Sequence, residues 1–69
     1  MPIVSIRMAK GRGIEIKRKL AAEVTGAVAR ALDLPPELVS IQIEEFDREN
    51  WATGGQLHID TSGPGFGKP

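Results

Sequence analysis

Cysteine is absent from this 69-residue chain, and histidine occurs once. The first absence excludes disulfides and thiolate metal sites, and one imidazole cannot form a metal cluster. Neither sign of charge is in excess: Lys and Arg total 9, Asp and Glu total 9, and the formal net charge at pH 7 is zero. Nucleic-acid binders normally carry a basic excess, so no nucleic-acid partner is expected. Long apolar runs are missing too, and none approaches the ~18 residues of a membrane-spanning helix. The first residues alternate in polarity instead of forming the continuous apolar block of a signal peptide. A soluble, cytoplasmic protein with no membrane partner is the expectation. Length sets a further limit, because a chain this short buries only ~60% of the surface its unfolded form exposes. Domains of this size are reinforced by disulfides, metals or oligomerisation. Oligomerisation is what the composition leaves, so a homo-oligomer is expected.

What is present is a strand, a helix and a second strand. Over residues 2–9, Val4, Ile6 and Met8 share one face with Pro2, while Ile3, Ser5 and Arg7 share the other. Such period-two alternation with β-branched residues predicts a strand. Lys10, Gly11, Arg12 and Gly13 break the pattern as a loop. A helix is predicted over 14–32, where Ile16, Leu20, Val24, Ala27, Val28 and Ala31 fall on the helical period as one apolar stripe. Gly13 makes a weak N-cap, and Pro35 and Pro36 prevent the helix from continuing. Residues 39–46 alternate again and predict the second strand. The sum is an α/β fold: one β-α-β unit with parallel strands. Gly54 and Gly55 invite a turn, and 56–59 is expected as a short closing strand in a C-terminal hairpin. The unit covers residues 1–60, and 61–69 is a Gly/Pro-rich tail. One helix covers one face of a two-stranded sheet. The open face and edges again favour self-association.

Pro2 directly follows Met1. Initiator methionine is trimmed when the second residue is small, and proline qualifies. Trimming leaves a secondary amine held in a rigid ring. An ordinary α-amino group titrates near pH ~7.7–8.0, and apolar burial or a neighbouring arginine lowers that value. The result is a general base poised near neutrality. With Met1 retained, the same nitrogen is an amide with no basicity.

Three landmarks now stand in order: Pro2-Ile3-Val4, Lys10-Gly11-Arg12, and Asn50-Trp51 followed by Gly54-Gly55. At these spacings they resemble the 4-oxalocrotonate tautomerase family, the small amino-terminal-proline enzymes of the tautomerase superfamily. The match runs without gaps from Pro2 to about Leu57. The resemblance implies an isomerase of aromatic degradation, interconverting enol and keto forms of a small 2-hydroxydienoate or 2-oxo acid. It implies no cofactor and no metal. Pro2 matches the catalytic base, and Arg12 matches the loop arginine that grips a substrate carboxylate. Trp51 stands at an aromatic position that keeps the pocket apolar. The family commonly forms a hexamer of three dimers, with pockets that draw on neighbouring subunits. Ser40 departs from the pattern, because well-known members carry a second arginine there. Serine donates one neutral hydrogen bond in place of a bidentate, charge-assisted pair.

Each landmark also has a plainer reading. Arg12 alone is a solvated loop arginine, and Gly11-x-Gly13 lacks the rest of a phosphate loop. Trp51 alone is a packing anchor. Arg7 lies opposite Pro2 by strand parity, so Arg48, near Trp51, is the better candidate for a second cation. Glu44 and Glu45 are adjacent strand residues that face opposite ways, which argues against a two-carboxylate mechanism. His58 is expected at the surface or an interface. Two other functions remain open: a non-catalytic oligomeric scaffold, and a proline-amine enzyme of the hydratase or dehalogenase type. Ala52 and Thr53 supply no water-activating acid for the latter.

Overall fold

The computed structural model describes residues 1–61. Strand β1 (Ile3–Ala9) leads through the Gly-rich loop into helix α1 (Ile14–Leu32), and strand β2 (Ser40–Phe46) follows. The two strands pair in parallel with unbroken register, from Ile3 opposite Ser40 to Ala9 opposite Phe46. Backbone bonds extend the ladder at both ends. The Ser40 N–H donates to the Pro2 carbonyl at 3.0 Å, and the Lys10 N–H donates to the Phe46 carbonyl at 2.9 Å. A small antiparallel hairpin of β3 (Ala52–Thr53) and β4 (Gln56–Leu57) and a one-turn helix α2 (His58–Thr61) close the described chain. The β-α-β unit with parallel strands and a C-terminal hairpin is the architecture the sequence predicts.

Boundaries differ where local hydrogen bonding takes over. Val39 belongs to no strand, because its N–H turns back to the Pro36 carbonyl and closes a single 3-10 turn, Pro36–Leu38. Of the closing strand expected over 56–59, residues 56 and 57 pair as strand, and 58 and 59 belong instead to a helical turn, His58–Thr61. Of the expected tail, Thr61 ends α2, and residues 62–69 lie outside the described residues.

Helix α1 begins at Gly13, which gives no side-chain cap. It ends on Asp33 in the left-handed conformation, φ 56°, with its N–H directed at the carbonyls of Ala29 and Arg30. The Leu34 N–H reaches the Ala29 carbonyl at 2.9 Å, which completes a Schellman-type end. The less exposed residues of α1 are Lys17, Leu20, Ala21, Val24, Thr25, Gly26 and Val28, with Ala29 buried. Lys17 pairs with Glu45 of β2 in a half-buried salt bridge that ties the helix start to the strand. The predicted stripe is therefore split. Ile16 and Ala27 stay exposed, and with Leu20 and Val24 they line an open apolar groove rimmed by Lys19 and Glu23.

The core of one chain is slight. Ala9 and Ala29 are its buried hydrophobic residues, and no large side chain among the described residues is fully buried. The radius of gyration is 14.7 Å, against about 11 Å for a compact chain of this length.

Candidate functional site

The parallel register decides which candidate residues meet. Pro2 lies just ahead of β1, half-buried, and its carbonyl accepts the Ser40 N–H. Pro2 and Ser40 thus sit side by side at the end where both strands begin. Met1 precedes Pro2 and is 83% exposed. While Met1 is attached, the Pro2 nitrogen is an amide.

Arg12 and Trp51 sit at the other end. Arg12 is half-buried in the loop that leaves β1, where Gly11 adopts φ 138°, a value that favours glycine. Lys10 of this loop pairs with Asp47 just beyond β2, at 3.4 Å. A 3-10 turn, Arg48–Asn50, then delivers Trp51. Six residue steps separate Ile3 from Ala9 along the register, or about 20 Å at ~3.3 Å per residue. No side chain spans that gap. One chain therefore holds two partial constellations, Pro2 with Ser40 and Arg12 with Trp51, at opposite ends of its sheet.

The second constellation contains an aromatic cluster. Phe46 meets Trp51 nearly at right angles, with centroids 6.3 Å apart and an interplanar angle of 75°. His58 stacks on Trp51 at 5.1 Å and 16°. His58 also shares a hydrogen bond of 2.8 Å, Nε2 to Thr53 Oγ1. His58, expected at the surface or an interface, is half-buried and lies against the tryptophan. The cause is the turn at Gly54 and Gly55, with φ 62° and 83°. A two-residue loop with positive φ at both positions is the tight hairpin that Gly-Gly permits. It pairs Thr53 with Gln56 and Ala52 with Leu57, and one step further the His58 N–H donates to the Trp51 carbonyl at 2.8 Å. Counting outward from the two glycines gives this pairing, so the signal was in the sequence.

The remaining charged candidates are accounted for. Arg7 lies opposite Glu44 and pairs with it at 3.2 Å on the open face of the sheet. Glu44 and Glu45 point to opposite faces, the latter to Lys17. Arg48 is half-buried beside the Trp51 cluster. Among the described residues, no group of three His, Cys, Asp or Glu side chains is placed to hold a metal ion. No described helix is long and apolar enough to cross a membrane.

A parallel β-α-β unit with a proline ahead of its first strand, a loop arginine and an aromatic–glycine-pair hairpin defines a recognisable class of small α/β protein. The family model of the tautomerase enzymes matches residues 2–60, and the chain belongs to that family. It is 39% identical over 57 residues to a 2-hydroxymuconate tautomerase of Pseudomonas putida, covering 83% of this chain and 90% of the relative. Among solved structures it resembles a 4-oxalocrotonate tautomerase isozyme from Methylibium petroleiphilum, with TM-score 0.85 and 36% identity over 88% of this chain and 95% of that one. It also resembles a chain of the heterohexameric 4-oxalocrotonate tautomerase from Chloroflexus aurantiacus, with TM-score 0.83 and 33% identity over 87% of this chain and 97% of that one.

Proposed function

We propose that the chain is a keto–enol tautomerase of a small 2-hydroxydienoate or 2-oxo acid, with the Pro2 amine as general base once Met1 is removed. The observation that carries this reading is the position of Pro2, half-buried ahead of β1 inside the family-matched span and preceded by a well-exposed Met1. The amine takes a proton from the substrate and returns it to another atom of the same conjugated system. No electrons are exchanged and no group is transferred, so the reaction needs no cofactor. Arg12 holds the substrate carboxylate with charge-assisted bonds. Trp51 keeps water out, and an apolar wall disfavours the protonated amine. Ser40 offers a neutral hydrogen bond to a neighbouring copy's site, and Arg48, close to Trp51 in sequence, is the candidate second cation. The domain doing this is 1–60, with 61–69 outside it.

The sheet's length makes the pocket a shared one. Arg12 and Trp51 of another copy complete the site around Pro2, so the working form is a homo-oligomer. The heterohexameric relative supports six chains as its size. The groove along Ile16, Leu20, Val24 and Ala27 supplies apolar surface for a second copy. A cytoplasmic enzyme that takes part in degrading aromatic compounds is the setting this reading implies. A hydratase or dehalogenase reaction is disfavoured, since Ala52 carries no acid and the Thr53 hydroxyl is engaged by His58.

The test compares wild type, Pro2→Ala and a form that keeps Met1, following 2-hydroxymuconate by ultraviolet absorbance, with intact mass read in parallel. Loss of turnover in both altered forms is expected. Undiminished turnover in the Met1-retaining form removes the proline as base. A wild type that keeps Met1 and is inert favours the non-catalytic scaffold.

A further inference from the structure

The small hairpin at the end of the described chain does more than terminate the fold. Along β3, alternation puts Trp51 and Thr53 on one face and Ala52 on the other. The register carries His58, opposite Trp51, onto the same face as both. Three independent contacts result: the ring stack with Trp51 at 5.1 Å, the hydrogen bond to Thr53 Oγ1 at 2.8 Å, and the backbone bond to the Trp51 carbonyl at 2.8 Å. Phe46 meets the same indole edge to face from the end of β2. An exposed indole is free to turn about two side-chain torsions. Here one partner lies against its flat face and a second stands nearly perpendicular to it. The flat-face partner is itself held from both sides, by a side-chain bond to Thr53 and by its own backbone.

We propose that His58 is a positioning residue: stacked on Trp51 and latched to Thr53, it fixes the orientation of the indole that walls the catalytic pocket. It touches no reacting atom, and it acts through Trp51. The catalytic consequence rests on the proposed function, while the latch itself can be read without turnover. Trp51 is the only tryptophan and the chain has no tyrosine, so intrinsic fluorescence and the near-ultraviolet tryptophan dichroism report this one ring.

Four variants separate the contacts. His58→Ala removes ring and bond together. His58→Phe keeps a stacking ring without the bond, His58→Gln keeps a hydrogen-bonding group without the ring, and Thr53→Val removes the latch alone. Each is read by tryptophan dichroism, by acrylamide quenching of fluorescence, and by kcat and KM on 2-hydroxymuconate, with far-ultraviolet dichroism and assembly size as the check on folding. His58→Ala is expected to weaken the tryptophan dichroism and increase quenching. It lowers kcat about five- to hundredfold, the population lost with one aromatic pair and one ordinary hydrogen bond, with a smaller change in KM. His58→Phe restores most of the dichroism and turnover, and Thr53→Val gives a milder form of the alanine result. An unchanged tryptophan signal in His58→Ala overturns the proposal, whatever happens to turnover. Recovery with Gln but not with Phe overturns the stack. Should His58→Ala fail to fold, His58→Gln and Thr53→Val decide: a tryptophan signal unchanged in both also overturns it. A wild type with no turnover removes the tautomerase reading alone, and the spectroscopic arm still decides the latch.

Discussion

Pro2 and Arg12 are asked to do different chemistry, and their substitutions separate accordingly. Arg12 is assigned to the substrate carboxylate, so its removal matters only where a carboxylate is present. A hydrogen bond to a charged group contributes ~1.5–3 kcal/mol, which sets the expected loss in kcat/KM for Arg12→Ala at about ten- to hundredfold on carboxylated substrates. Steady-state assays on 2-hydroxymuconate and on an enol analogue without the adjacent carboxylate provide the comparison. Equal losses on both would assign Arg12 to the loop's structure instead. Pro2, Arg12 and Trp51 stood out in the sequence because each lies at a break in the pattern: ahead of the first strand, in a glycine-flanked loop, and just before a glycine pair. The stacking of His58 on Trp51 was not legible, because a lone histidine carries no periodic signal of its own. Its partner becomes visible only when the hairpin is counted outward from Gly54 and Gly55.

At the scale of elements, the punctuation of the chain is what made the fold readable. Helix α1 spans Ile14–Leu32 as predicted, because a glycine precedes it and two prolines follow. Which side of the helix meets the sheet was not legible. Apolar residues occupy two adjoining stripes, and one chain provides a partner for only one of them. Lys17, read by type, belongs on the polar side, but Glu45 on the sheet draws it inward. The end of the helix offers a clean test of local conformation. Asp33 sits at φ 56°, where glycine adopts the conformation without the Cβ clash of ~1–2 kcal/mol that other residues meet. Asp33→Gly is expected to stabilise the fold by about 0.5–1 kcal/mol, after the extra freedom of glycine in the unfolded chain is subtracted. Thermal melts at matched protein concentration read this as a rise of a few degrees. A lowered midpoint would mean that the aspartate side chain contributes something beyond the turn.

For the whole molecule, the slight core and the open groove on α1 point the same way. Ile14 is 60% exposed and Leu32 55% exposed, a costly arrangement for a chain standing alone at about 25 cal/mol per Å2 of apolar surface left in water. Sedimentation of dilute protein is expected to show an obligate oligomer, with folding lost when the assembly dissociates. A stable, folded monomer at about micromolar concentration would contradict this and would also leave the two partial constellations uncombined.

That separation has a genetic reading. In the proposed assembly, the proline of a chain and its arginine serve different pockets, because the length of the sheet keeps them apart. Chains carrying Pro2→Ala are expected to be inert by themselves, and chains carrying Arg12→Ala to keep only the reduced turnover set out above. Unfolded, mixed in equal amounts and reassembled, they sort at random, and about one pocket in four receives an intact proline from one parent and an intact arginine from the other. Two broken alleles therefore complement each other within a single cell, whereas a chain carrying both lesions rescues nothing.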